Sequence, residues 1–207
     1  MTVRIKICGV TTPADAAAAA DLGVEFIGLN FYPKSPRCVT PAQARELVRH
    51  LGPAATPVGV FVTTDWQWVT ATAADVGLRA VQTYSDQPPA GSFEMSTHVP
   101  AFRVKVAADL EHIKQFVAAC RPSAVLVDSF VAGEMGGTGH RAPWELLVGF
   151  NPGVPFILAG GLTPDNVADA VRLVRPWGVD VASGVESAPG VKDHGKLRAF
   201  VQAARGA

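Results

Sequence analysis

Residues 155–186, PFILAGGLTPDNVADAVRLVRPWGVDVASGVE, restrict what this chain can fold into more than any other stretch. The apolar run Phe-Ile-Leu-Ala at 156–159 ends in Gly160-Gly161, the pattern of a buried strand meeting a tight loop. Thr163-Pro164 then reads as a helix start: threonine supplies a capping oxygen, and proline at the first helical position loses no needed N–H. Val167, Ala170, Val171 and Val174 follow at helical spacing; Gly178 precedes a second apolar run at 179–182, closed by Ser183-Gly184. Strand, loop, helix, strand and loop make one βαβ unit, which requires a parallel sheet. Both glycine loops then lie at the carboxyl ends of adjacent strands, where bare backbone N–H groups converge well on one anion. In an eight-stranded α/β barrel, the loops after strands seven and eight are the usual phosphate site.

The rest of the chain supplies six earlier strands: residues 3–8, 24–31, 57–62, 79–82, 101–106 and 124–127. Between them come an alanine-rich helix at 14–22 behind Thr12-Pro13, a helix from Thr40-Pro41 to about residue 51, one from Asp65 to Gly77, and one over 109–120. The Pro/Gly-rich stretch 85–96 predicts a weak helix, Trp144-Glu145-Leu146-Leu147 a helix remnant, and 192–204 a terminal helix. Eight strand–helix units without a long linker predict a single α/β domain over residues 1–207, a closed (β/α)8 barrel of the TIM type rather than an open doubly wound sheet. The Gly–Thr–Pro device at 9–13 and 161–164 hints at internal repetition, or at shared capping chemistry.

With 18 basic and 18 acidic side chains, the chain carries no electrostatic footprint for nucleic acid or an anionic membrane. Three cysteines at 8, 38 and 120 have neither zinc-site nor disulfide spacing. No apolar run reaches membrane-spanning length, so a cytoplasmic protein is the default expectation.

Barrel chemistry sits at strand carboxyl ends, which here offer Cys8, Asn30, Arg37, Gln82, Lys105 and Asp128. Asp128 closes the run Val125-Leu126-Val127 and reads either as a loop cap or as a carboxyl with a raised pKa, fit for general acid work. Cys8 reads either as an inert core thiol or as a base. Arg37, in a loop stiffened by Pro36, suits a planar carboxylate or is a solvated charge. Gly136-Gly137-Thr138-Gly139 is too short for a Walker loop and lacks its lysine. Acid and base on strands one and six would face each other across one mouth.

These residues resemble phosphoribosylanthranilate isomerases, β/α-barrel enzymes of tryptophan biosynthesis. The likeness runs through Lys6-Ile7-Cys8-Gly9, Ser35-Pro36-Arg37, Val58-Gly59-Val60-Phe61-Val62, Val81-Gln82, Val127-Asp128 and Gly136-Gly137-Thr138-Gly139. It continues through Leu158-Ala159-Gly160-Gly161-Leu162-Thr163-Pro164-Asp165-Asn166, Ser183-Gly184-Val185-Glu186 and Pro189-Gly190-Val191-Lys192-Asp193. The resemblance implies an Amadori rearrangement of a phosphosugar, N-(5-phosphoribosyl)anthranilate, with no metal or other cofactor and with no nucleic acid or membrane partner. By matching position, Asp128 is expected to be the general acid, Cys8 the general base and Arg37 the carboxylate clamp. Gly137, Gly160, Gly161, Ser183 and Gly184 are expected to bind substrate, the last four through its phosphate. Monomer and homodimer both fit. The chain departs from the family's Gln-Leu-His-Gly at Gln82-Thr83-Tyr84-Ser85, keeps only Trp144 of Phe-Asp-Trp, and carries Asn30 at a usually apolar position. Other phosphosugar barrels, with paired aspartates or a metal, fit poorly with Cys8. A non-catalytic phosphosugar-binding barrel, acting as sensor or scaffold, is the alternative from another class.

Overall fold

Strand β1, Arg4–Cys8, is paired in parallel on both sides, to β2 (Phe26–Asn30) and to β8 (Gly178–Val181), so the sheet closes on itself. In this computed structural model, which describes residues 2–84, 97–129 and 144–207, eight strands follow in sequence order around a closed barrel. The others are β3 (Thr56–Phe61), β4 (Ala80–Thr83), β5 (Thr97–Arg103), β6 (Val125–Asp128) and β7 (Phe156–Ala159). The expected (β/α)8 barrel is the fold observed. Helices α1 (Pro13–Asp21), α2 (Pro41–Arg49), α3 (Trp66–Val76), α4 (Ala107–Cys120) and α5 (Val167–Val174) follow strands one, two, three, five and seven; α6 (His194–Arg205) ends the chain. None is long and apolar enough to cross a membrane.

The helix starts obey the capping chemistry of the sequence, with one exception. Thr12 accepts from the Asp15 N–H at 3.1 Å, with Pro13 opening α1. Thr40 and Gln43 form a reciprocal capping box ahead of α2. Thr163-Pro164, however, does not start a helix: Asn166 folds its Oδ1 back onto the Thr163 N–H (2.8 Å) and its Nδ2 onto the Gly161 carbonyl, and α5 begins only at Val167. The two Gly–Thr–Pro segments therefore work differently, which argues against a structural repeat.

Side-chain alternation divides the core in two. Ile5, Ile7, Ile27, Leu29 and Val127 point outward into the main cluster beneath the helices. Val99, Ala101, Ala124, Leu126, Ile157 and Ala159 form a smaller cluster inside the barrel. Strand β5 starts and ends earlier than the 101–106 expected from apolarity, because Thr97 and His98 pair with β4 despite their polarity. The expected helix over 192–204 starts two residues late: β9 (Glu186–Ala188) and β10 (Val191–Lys192) form a small antiparallel hairpin first. This hairpin lies against β1, β8 and α1. Lys192 donates from Nζ to the carbonyls of Cys8 and Ala182 and from its backbone N–H to Asp15.

Candidate active site

Alternation along β1 puts Lys6 and Cys8 on the same inward face, two residues apart. The closing register sets Lys6 opposite Asp180 of β8, and the Lys6 Nζ lies 2.9 Å from Asp180 Oδ1. Both are buried. Burial alone would lower the Lys6 ammonium, but the charges of Asp180 and Cys8 outweigh it and hold its pKa above the ordinary value. For Cys8 burial wins: it pushes the thiol up, and the neighbouring Lys6 ammonium offsets this only in part. At neutral pH the barrel thus holds a neutral thiol beside the Lys6 ammonium.

Asp128 ends β6, with its backbone in register between Arg103 of β5 and Ala159 of β7. Tyr84 lies just beyond β4 and packs against the apolar cluster inside the barrel. Burial and then the charges of Asp128, Cys8 and Asp180 push the Tyr84 phenol far above its usual range, leaving a neutral hydroxyl able to donate a hydrogen bond. The expected base and acid end β1 and β6, at the carboxyl end of the barrel.

Arg37 is fixed from two sides. Gly9 has φ +72°, and a Cβ there would lie 2.4 Å from Arg37 Cδ, so only glycine lets the arginine lie across the chain next to Cys8. The guanidinium donates from Nε (2.8 Å) and Nη2 (2.6 Å) to the two carboxylate oxygens of Glu186. Those hydrogen bonds hold its pKa above the usual arginine value. Glu186 Oε1 also takes a bond from Lys192 Nζ at 2.9 Å. Hence the Nε-side fork, the geometry best suited to a carboxylate, is occupied by a protein carboxylate; Glu186 leaves the Nη1 side free of its contacts.

Gly160 and Gly161 both have positive φ, +99° and +65°. Their loop meets the one after β8: a Cβ on Gly184 would lie 2.0 Å from the Leu162 carbonyl oxygen, so close apposition of the two loops requires glycine there. Ser183 and Gly184 open a short 3-10 turn over Ser183–Val185. Gly137 and its neighbours lie outside the described residues.

Of two further residues expected at the mouth, Lys105 is exposed and Gln82 is buried. Lys105 lies beyond the end of β5, exposed, its N–H bonded to the Asp109 carboxylate at the start of α4. Gln82 is buried deeper in the barrel, level with Val99, where its amide finds no hydrogen-bond partner among the described residues. Asn30 does end β2, but its Oδ1 accepts from the Tyr32 N–H and shapes the loop leading to Arg37. Lys6, Asp180, Glu186 and Lys192 cluster around Cys8 and Arg37, yet sequence reasoning gives them no role, although Lys6, Glu186 and Lys192 stand in the motifs that carry the resemblance. The one signal for them is a charge inside an apolar alternation, as in Ile5-Lys6-Ile7 and Val179-Asp180-Val181.

A family model described as N-(5'-phosphoribosyl)anthranilate (PRA) isomerase matches residues 5–203. An N-(5'-phosphoribosyl)anthranilate isomerase from Magnetococcus marinus is 47% identical over 99% of this chain and 96% of its own length. One from Myxococcus xanthus is 45% identical over 99% and 97%. The crystal structure of phosphoribosyl anthranilate isomerase from Thermotoga maritima superposes with a TM-score of 0.88 at 34% identity, covering 99% of this chain and all of that one. A further isomerase structure, in complex with reduced 1-(o-carboxyphenylamino)-1-deoxyribulose 5-phosphate, gives 0.86 at 33% identity, with 99% of this chain and all of that one covered. With the family model spanning nearly the whole barrel, this chain belongs to the N-(5'-phosphoribosyl)anthranilate isomerase family.

Proposed function

We propose that the chain catalyses the Amadori rearrangement of N-(5'-phosphoribosyl)anthranilate to 1-(2-carboxyphenylamino)-1-deoxyribulose 5-phosphate, a step of tryptophan biosynthesis, with Asp128 as acid and Cys8 as base. The observation that carries the residue roles is the placement of Cys8 and Asp128 at the carboxyl ends of β1 and β6 of one closed barrel, with Arg37 laid across Gly9 beside the thiol. Asp128 gives its proton to the ring oxygen as the C1–O bond breaks, and the nitrogen lone pair forms an iminium at C1. That cation lowers the cost of ionising Cys8, whose thiol burial otherwise keeps neutral. The thiol proton passes to water, and the thiolate takes the C2 proton; the C–H electrons form the C1–C2 double bond and discharge the iminium. The enol then loses its O–H proton, which restores the Asp128 acid, while C1 takes the proton from Cys8, leaving the ketone. The thiolate regains its proton from water, so protons balance, and no oxidant or reductant enters.

The apposed loops at Gly160-Gly161 and Ser183-Gly184 hold the phosphate, and Gly137 adds a further contact. Arg37 meets the anthranilate carboxylate through its Nη1 side. The two anion contacts fix both ends of the substrate, so that its C1–C2 segment is presented to acid and base together. The free thiols Cys8, Cys38 and Cys120 suit a reducing cytoplasm. The test is turnover of fresh substrate, followed by loss of anthranilate fluorescence. A protein that binds the reduced product analogue but turns nothing over would instead be the non-catalytic barrel.

A further inference from the structure

We propose that Lys6 is a positioning residue for this reaction: its ammonium, anchored on Asp180, stabilises the negative charge that Cys8 must carry before it can take the substrate's proton. The inference rests on the reading of Cys8 as the base. A charge pair inside a barrel is an expensive way to fill volume, since apolar residues of similar size stabilise as well or better. Lys6 is among the largest fully buried side chains of the protein, in a lumen where Val99, Ala101, Ala124, Leu126, Ile157 and Ala159 form an apolar cluster and Gln82 and Asp180 are further buried polar groups. Its place beside the thiol gives the charge a use.

Gly28, the β2 partner of Cys8 in the sheet register, makes that use possible. A Cβ on Gly28 would lie 2.9 Å from Cys8 Sγ and 3.1 Å from Lys6 Nζ, so both atoms occupy the space a side chain there would take. The charged and titratable groups around Cys8 come from several elements: Lys6 on β1, Asp180 on β8, Lys192 on β10, Arg37 after β2 and Tyr84 after β4. Asp128 ends β6 at the same end of the barrel, and Glu186 on β9 holds Arg37 and Lys192. Among the cations, Lys192 spends its three N–H bonds on Cys8 O, Ala182 O and Glu186 Oε1. Arg37 is turned to Glu186. Lys6 gives one bond to Asp180 and has two N–H groups left to face the sulfur.

The test replaces Cys38 and Cys120 by serine, then reads the Cys8 titration from the pH dependence of alkylation by iodoacetamide, alongside kcat and KM. Lys6→Met should raise the thiol pKa and lower kcat at neutral pH, by about tenfold for every pH unit that the titration midpoint moves, with KM changed less than about threefold. Asp180→Asn should move the thiol pKa downward. Because each single change leaves one buried charge unpaired, Lys6→Met/Asp180→Asn is the decisive variant: both charges are gone and volume is kept. It should fold, with a raised thiol pKa and a lowered kcat that recovers as pH rises. A folded double variant with the parent's thiol titration and kcat would overturn the proposal. Cys8→Ser in the same assay separates the two readings. An inactive Cys8→Ser beside a fully active double variant removes Lys6 alone, whereas an active Cys8→Ser removes the base and this proposal with it.

Discussion

The barrel holds two clusters of opposite charge that differ in what they do for the thiol between them. Inside the lumen, Lys6 and Asp180 form one contact and turn unspent hydrogen-bonding capacity toward Cys8. At the rim, Lys192 spends its three N–H groups on Glu186 and on the chain at the ends of β1 and β8, and Arg37 turns its Nε–Nη2 fork to Glu186. The side chain of Lys192 is wholly buried and that of Arg37 is 22% exposed, so the rim cluster is a buried clasp with one accessible guanidinium edge. The difference teaches that charge near a site need not act on the chemistry. The inner pair sets what the sulfur can do; the outer cluster sets where one arginine points.

The sharpest way to break this comparison is to remove the group the inner pair serves. Cys8→Ser should cut kcat by about 10²-fold or more, since a hydroxyl is a poor base, while affinity for the reduced product analogue stays within about threefold. Steady-state rates and analogue titration read both. A rate near the parent's would assign the C2 proton to another group. Next comes the rim. Arg37→Lys keeps the charge but loses the planar fork that Glu186 grips, and should raise KM about tenfold with little change in kcat. If kcat falls instead, Arg37 belongs with the chemistry and the division fails.

Glu186→Gln is milder. It keeps the shape, weakens the grip on Arg37, and should raise KM by a few-fold. Its clearer mark is on stability. Burial works to raise the Glu186 carboxyl, but hydrogen bonds from Arg37 and Lys192 outweigh it and leave its pKa below the ordinary glutamate value. The folded state therefore holds this proton less tightly than the unfolded chain. Its stabilisation is present above the ordinary value and is lost as pH falls through the lowered one. Thermal midpoints taken from neutral pH down to about pH 3 should fall less steeply for Glu186→Gln than for the parent. Equal slopes would mean the clasp contributes nothing through this carboxylate.

What is legible in the sequence depends on whether a signal is local. The strand runs, Thr12-Pro13, Thr40-Pro41 and the glycine loops announce themselves within a few residues, and the barrel follows from their count. The failures are pairings made across the closed sheet. Lys6 meets Asp180 over 174 residues and Arg37 meets Glu186 over 149, so each partner looks like an isolated charge until β8 closes onto β1. The β9–β10 hairpin escapes notice because Ser187-Ala188-Pro189-Gly190 reads as loop and its strands are only three and two residues long. Thr163 does not open a helix: Asn166, three residues on, ties its side chain back to the Thr163 N–H and the Gly161 carbonyl, and α5 starts only at Val167.

Asp128 carries the greatest weight in the assignment of acid and base. The measurement is single-turnover loss of anthranilate fluorescence from fresh N-(5'-phosphoribosyl)anthranilate, for the parent and for Asp128→Asn, with the affinity of the reduced product analogue taken alongside. The amide keeps the shape but has no acid proton to give, so turnover should fall by about 10²- to 10⁴-fold with analogue affinity within about threefold. Turnover by Asp128→Asn at the parent's rate would contradict the acid–base pair on which the rest is built.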